Sequence, residues 1–266
     1  MSILLLASAS GAPGVTTTAL GLALCWPRDV LLVDADPHPS RSIEAGYLGG
    51  RTGVTPGLSH LAIAHRTGVD MTAALWQQVV ELPRPVGSPG CQVSFLAGFT
   101  HPGQAGLMGV VWPSVARALR DLDDAGIDVI VDLGRMSGTR PPDELVSRAA
   151  AVGIVTRSSL RSLAGLALQA QILDEMADST TARTGLVLIG VGQPYGVSEI
   201  ATQFRRPVLA EVADDHRGAS VLSDGAPGRW HRSRHAGSLR HAADRLAAVL
   251  AEHHRTAGLP GAEVTP

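Results

Sequence analysis

Short uninterrupted apolar runs alternate with longer stretches of helical spacing along nearly the whole chain, and this alternation restricts the fold more than any other feature. The runs occupy 3–7, 30–34, 92–97, 129–133, 151–156, 186–191 and 208–212. In several of them Val, Ile and Leu stand on consecutive positions instead of alternating with polar residues, the pattern of strands covered on both faces. The helical stretches cover 16–25, 58–65, 72–82, 114–125, 160–176, 198–204 and 238–254. Strand and helix in strict alternation predict βαβ units with right-handed crossovers. The expectation is one α/β domain over 1–256: a doubly wound, mostly parallel sheet with helices on both faces.

At 45% hydrophobic the chain has material for a large core, but aromatics are only 3%, so Leu, Val, Ile and Ala must fill it. Residues 84–90, rich in Pro and Gly, read as a loop. Residues 225–237 are polar and basic and are expected to form an exposed loop before the last helix; 257–266 read as a flexible tail. The first apolar run is too short, and lacks the preceding positive charge, for a secretory signal. No run approaches the roughly 18 residues of a spanning helix. Cys25 and Cys91 offer no disulfide framework, which suits a reducing cytosol, so a cytoplasmic protein is expected. The net charge of -2 argues against bulk attraction to nucleic acid.

The most informative segment is Ser10-Gly11-Ala12-Pro13-Gly14-Val15-Thr16-Thr17-Thr18, between the first strand and the first helix. Glycines in such a loop turn backbone N–H groups inward, the helix N-terminus adds a positive dipole, and a Ser or Thr hydroxyl reaches Mg²⁺. A working loop also places a lysine directly after its second glycine. Here that position is Val15, and the chain contains no lysine anywhere: all 22 of its basic residues are arginine.

This loop, with Val30-Leu31-Leu32-Val33-Asp34-Ala35-Asp36-Pro37 and Asp128-Val129-Ile130-Val131-Asp132-Leu133-Gly134, resembles the ParA/MinD family of deviant Walker ATPases. The resemblance runs from Ile3 to about Asp224, and the TadZ/CpaE pilus-assembly type is its nearest functional neighbour. It implies a phosphate cradle formed by Gly11, Ala12, Pro13, Gly14, Val15, Thr16 and Thr17. It also implies a magnesium shell touching Thr16, Asp34 and Asp132, with Asp36 orienting the attacking water. The family's loop reads K-G-G-x-G-K-T-T; its two lysines fall on Ser10 and Val15. The asparagine with which the family recognises adenine falls on Ile189. ATP or ADP with Mg²⁺ is therefore the implied cofactor, while the lost cations argue against efficient hydrolysis, because phosphoryl transfer depends chiefly on positioning and charge. Arg157 and Arg161 are candidates to stand in for the missing lysines; a solvated helix face is the plainer reading for both. Asp36 equally suits a simple turn before Pro37, and Asp132 a strand-end cap before Gly134.

One local basic cluster, Arg229, Arg232 and Arg234 around Trp230, suits either a DNA backbone or acidic-lipid contact or an ordinary solvated loop. His231 and His235 have i, i+4 spacing but no further ligand, so a zinc site is not expected. The last helix carries Leu239, Ala242, Ala243, Leu246, Val249 and Leu250 on one face, which suits packing on the sheet better than lying in a membrane. Together these features point to a positioning or assembly factor with a degenerate nucleotide site. The resemblance implies a homodimer meeting around Ser10, Asp36 and Asp132, recruited to a cell pole, the nucleoid or the inner membrane surface. The alternative is a slow partitioning-type ATPase that binds DNA non-specifically.

Overall fold

The computed structural model describes residues 3–9, 14–50, 57–85, 90–136, 140–192 and 194–257. Eight strands form one sheet: β1 (Ile3–Ser8), β2 (Val30–Asp34), β3 (Val79–Glu81), β4 (Val93–Leu96), β5 (Asp128–Arg135), β6 (Ala151–Arg157), β7 (Arg183–Ile189) and β8 (Val208–Val212). Their order across the sheet is β3-β4-β2-β5-β1-β6-β7-β8, and every pairing is parallel except β3 with β4.

β1 explains the consecutive apolar residues. Its Ile3, Leu5 and Ala7 enter one hydrophobic cluster and Leu4 and Leu6 enter the other, so both faces are dry. The first cluster is closed by α2 (Leu58–Thr67), α3 (Met71–Trp76), α4 (Trp112–Asp121), α5 (Asp143–Val146), α6 (Leu160–Leu168), α7 (Ala170–Asp178) and α8 (Val197–Phe204). The second is closed by α1 (Val15–Cys25), α9 (His216–Ser223) and α10 (Arg234–Ala257). Leu239, Ala242, Ala243, Leu246 and Leu250 of α10 are all buried there, so this helix spends its apolar face on the sheet.

The sheet ends differently at its two edges. β3 is only three residues long, and β8 lies beneath α10, whose Arg245 Nη2 donates to the Val208 carbonyl at 3.2 Å.

Several expectations need correction. The stretch 72–82 is not one helix: Val79–Glu81 pairs antiparallel with β4, because Val79-Val80 on the edge find backbone partners there. Residues 160–176 form two helices broken at Gln169, whose φ of -103° and ψ of 6° leave the helical region; no glycine or proline marks the break. The segment 225–237 is not wholly an exposed loop. Trp230 is buried within a 3-10 turn, and α10 begins at Arg234 with His235 and Ala236 already inside. Trp230 Nε1 donates to His235 Nδ1 at 3.2 Å, which gives both polar aromatics a partner in a dry site. The tail expected beyond α10 lies outside the described residues from 258 onward.

Candidate functional site

In a parallel sheet the chain leaves each strand at the carboxyl end, and ligand crevices form where those ends gather. Here β1, β2 and β5 are neighbours, so the residues just past them converge. Of the expected phosphate loop, Ser10, Gly11, Ala12 and Pro13 lie outside the described residues. Gly14, with φ of 94°, is the N-cap of α1, and its carbonyl accepts from Thr18 N at 2.9 Å. Val15 opens the helix and is 6% exposed, held in the same apolar cluster as Ile189 at the end of β7. A side-chain carbon placed on Gly14 would meet Ile189 Cδ1 at 4.0 Å. The two positions where the resemblance puts a lysine and an asparagine are thus parts of one hydrophobic surface. Thr16 and Thr17 are half-buried.

The acidic residues do come together. Asp34 and Asp132 occupy paired positions on β2 and β5, and both side chains are buried, Asp132 completely. Asp132 Oδ1 accepts from Gly134 N at 2.8 Å, and Asp34 Oδ1 accepts from Asp36 N at 3.2 Å. Asp36 Oδ1 accepts from His38 N at 2.8 Å, and the Asp36 carboxylate lies against the Gly134 backbone. A side-chain carbon at Gly134, where φ is 60°, would stand 2.1 Å from Asp36 Cγ, so only glycine permits that approach without strain. Asp132 Oδ2 is buried and takes no hydrogen bond of ordinary length among the described residues, although the Thr16 hydroxyl is near enough to favour the charged form.

Crowded, dry carboxylates resist ionisation. Burial first, and then the Asp132 charge, push Asp34 well above the ordinary carboxylate range. Burial raises Asp132 to about 6, against the opposing influence of Thr16 and the Gly134 N–H. Asp36 is also raised by burial, and the His38 N–H, the His38 ring and the Arg135 guanidinium oppose that rise.

Two residues escaped sequence reasoning. Arg135, directly after Gly134, is a cation that acts on Asp36. Glu44, on a π-helical turn over Ile43–Tyr47, adds repulsion at Asp34; its Oε1 accepts from Arg41 Nε at 3.3 Å. Neither carries a motif, and only their return to the site in three dimensions reveals them. Of the expected stand-in cations, Arg157 is paired with Asp214 at 2.6 Å and Arg161 lies exposed on α6. Arg229, Arg232 and Arg234 are exposed near the start of α10.

The arrangement can be tested against a magnesium nucleotide. Mg²⁺ asks for one or two carboxylates, several waters and phosphate oxygens, and Asp132 Oδ2 with Thr16 suits the protein share of that shell. Among the described residues, however, no group of three or more His, Cys, Asp or Glu is disposed to hold a metal by itself. At the phosphate position Val15 offers no charge, and at the adenine position Ile189 offers no hydrogen bond from its side chain. Of the described residues, Asp132 and Thr16 suit the magnesium share of such a ligand, and Val15 brings no charge to its phosphates.

No protein-family model matches the chain, and a search of curated proteins finds no match. Solved structures do match. A ParA family ATPase from Chlorobium tepidum TLS superposes with a TM-score of 0.68 at 18% identity, covering 91% of this chain and 98% of that one. The MinC:MinD cell division complex of Aquifex aeolicus gives 0.68 at 14%, covering 93% and 96%. The septum site-determining protein MinD of Pyrococcus horikoshii OT3, complexed with Mg-ADP, gives 0.62 at 17%, covering 98% and 99%. These likenesses establish the P-loop NTPase fold of ParA and MinD structures across nearly the whole chain. Among the described residues, no helix is long and apolar enough to cross a membrane.

Proposed function

We propose that this chain is a ParA/MinD-like positioning or assembly factor whose nucleotide site has lost its catalytic charge, so that it works through dimerisation and protein contacts. Delivery of pilus or secretion machinery to a cell pole is the role that fits best. The observation that carries the reading is the burial of Val15 in the apolar cluster behind α1, at the position where a phosphate-binding site needs a cation. A charge-assisted bond to phosphate contributes about 1.5–3 kcal/mol, and the Val15 side chain cannot make one. Asp132 is fully buried and cannot reach a partner, so dimerisation would involve the surface around Asp36 and would depend little on ATP.

Calorimetry with Mg-ATP tests the reading. The expected result is no binding tighter than about millimolar and no turnover. Micromolar, Mg²⁺-dependent binding together with turnover abolished by Asp36→Ala overturns it. A second reading, a slow partitioning ATPase, draws on the exposed Arg229, Arg232 and Arg234. Salt-sensitive binding to random DNA, lost when Arg232 and Arg234 become Ala, favours that reading.

A further inference from the structure

Away from the acidic site, a groove of about 660 Å³ runs between α2 and the 3-10 turn Pro102–Met108. Its apolar lining gathers three exposed side chains into one patch: Ile63 at 47%, Leu107 at 68% and Val110 at 74%. Its polar lining is one-sided. His60, His65 and Arg66 stand on it, and no carboxylate does among the described residues. The walls are braced, not loose: Gln104 Oε1 accepts from Ser59 Oγ at 2.9 Å, from Thr100 N at 2.9 Å and from His101 N at 3.0 Å, tying the turn to α2.

We propose that this groove docks an acidic amphipathic helix of a partner protein. An apolar floor alongside a ten-residue helix suits two or three turns of another helix, whose residues at i, i+3, i+4 and i+7 fill it. The rim then selects the flanks of that helix. With the chain as a whole at -2, the selection is local, and the planar fork of Arg66 favours carboxylate oxygens over any other side chain. An extended peptide has no free strand edge to join here, since helix and turn build the walls. A lipid surface asks for several cations on a convex face, whereas this is a recess with one arginine. A second copy of the chain is a poorer occupant. Its acidic helix, α7 with Asp174, Glu175 and Asp178, already buries its apolar Leu173 and Met176 in the core.

The test uses two labelled helical peptides of about 15–20 residues, identical in their leucines and differing only in glutamate or lysine at the flanks. Fluorescence anisotropy is read on the full-length protein. The glutamate peptide should bind at least about tenfold more tightly than the lysine peptide, and its affinity should fall with added salt. Leu107→Ser with Val110→Ser should weaken it by about tenfold or more, and Arg66→Glu should abolish the preference. Both substituted apolar residues are more than half exposed, so unchanged thermal melts are expected and are checked. Equal binding of the two peptides, or unchanged binding to the Leu107/Val110 variant, overturns the proposal. So does self-association in sedimentation, or capture by phosphatidylglycerol vesicles, that the same two substitutions abolish.

Discussion

Replacing Asp132 with asparagine removes the charge from the carboxylate cluster while keeping an oxygen for the Gly134 N–H. Burial lifts Asp132 from 3.8 to about 6, so the folded chain holds its proton more tightly than the unfolded chain does. The sign follows directly. An acid raised on folding costs stability at pH values above its folded pKa, and the cost is relieved as pH falls from about 6 toward 3.8. A shift of that size corresponds to about 3 kcal/mol. Because Asp34 and Asp132 share the repulsion, the figure belongs to the pair, and one substitution should recover about 1–3 kcal/mol near pH 7.5. For a domain of this length the midpoint of thermal unfolding should then rise by about 3–10 °C. The assay is a series of melts by circular dichroism from about pH 4 to 8, each with chelator present. The variant should melt above the parent near neutrality, and the gap should close on acidification. A variant that melts at or below the parent at neutral pH refutes the reasoning. So does a gap of the same size at both ends of the series.

Gly134→Ala should cost about 2 kcal/mol or more in urea unfolding, because the added carbon meets Asp36 at a φ of 60°. Val15→Lys should raise the affinity for Mg-ADP by at least about tenfold in calorimetry; no gain shows that the missing charge is not what weakens the site. His235, lowered by burial, resists protonation in the fold, so stability should fall as pH drops below its ordinary value of 6.5. His235→Asn keeps an acceptor for Trp230 and should flatten that decline in melts between about pH 6.5 and 5.

The sheet was legible because its strands are buried on both sides. Leu4-Leu5-Leu6 and Val30-Leu31-Leu32-Val33 leave no other reading once each is followed by a helical stretch. Asp34 and Asp132 were legible for a related reason: a carboxylate closing an apolar strand is conspicuous, and strand order alone makes the two neighbours. What stayed hidden depends on contacts between distant parts of the chain. Val79–Glu81 becomes a strand only because β4 offers an open edge, so a continuous helical pattern across 72–82 misleads. Trp230 looked exposed amid arginines, yet its indole is accommodated by His235 five residues on. The break at Gln169 has no glycine or proline to announce it.

The two margins of the sheet bear on how copies of this protein can associate. A long, flat, unpaired strand is a template on which further chains grow by backbone pairing. Here one margin stops after the three residues of Val79–Glu81, and at the other a guanidinium already occupies the outermost carbonyl of Val208. Ribbon-like polymerisation through continued β-structure is thereby discouraged at both sides. Any larger array must grow through helix faces or the loop-bearing rim, where contacts are made by side chains and a single substitution can undo them.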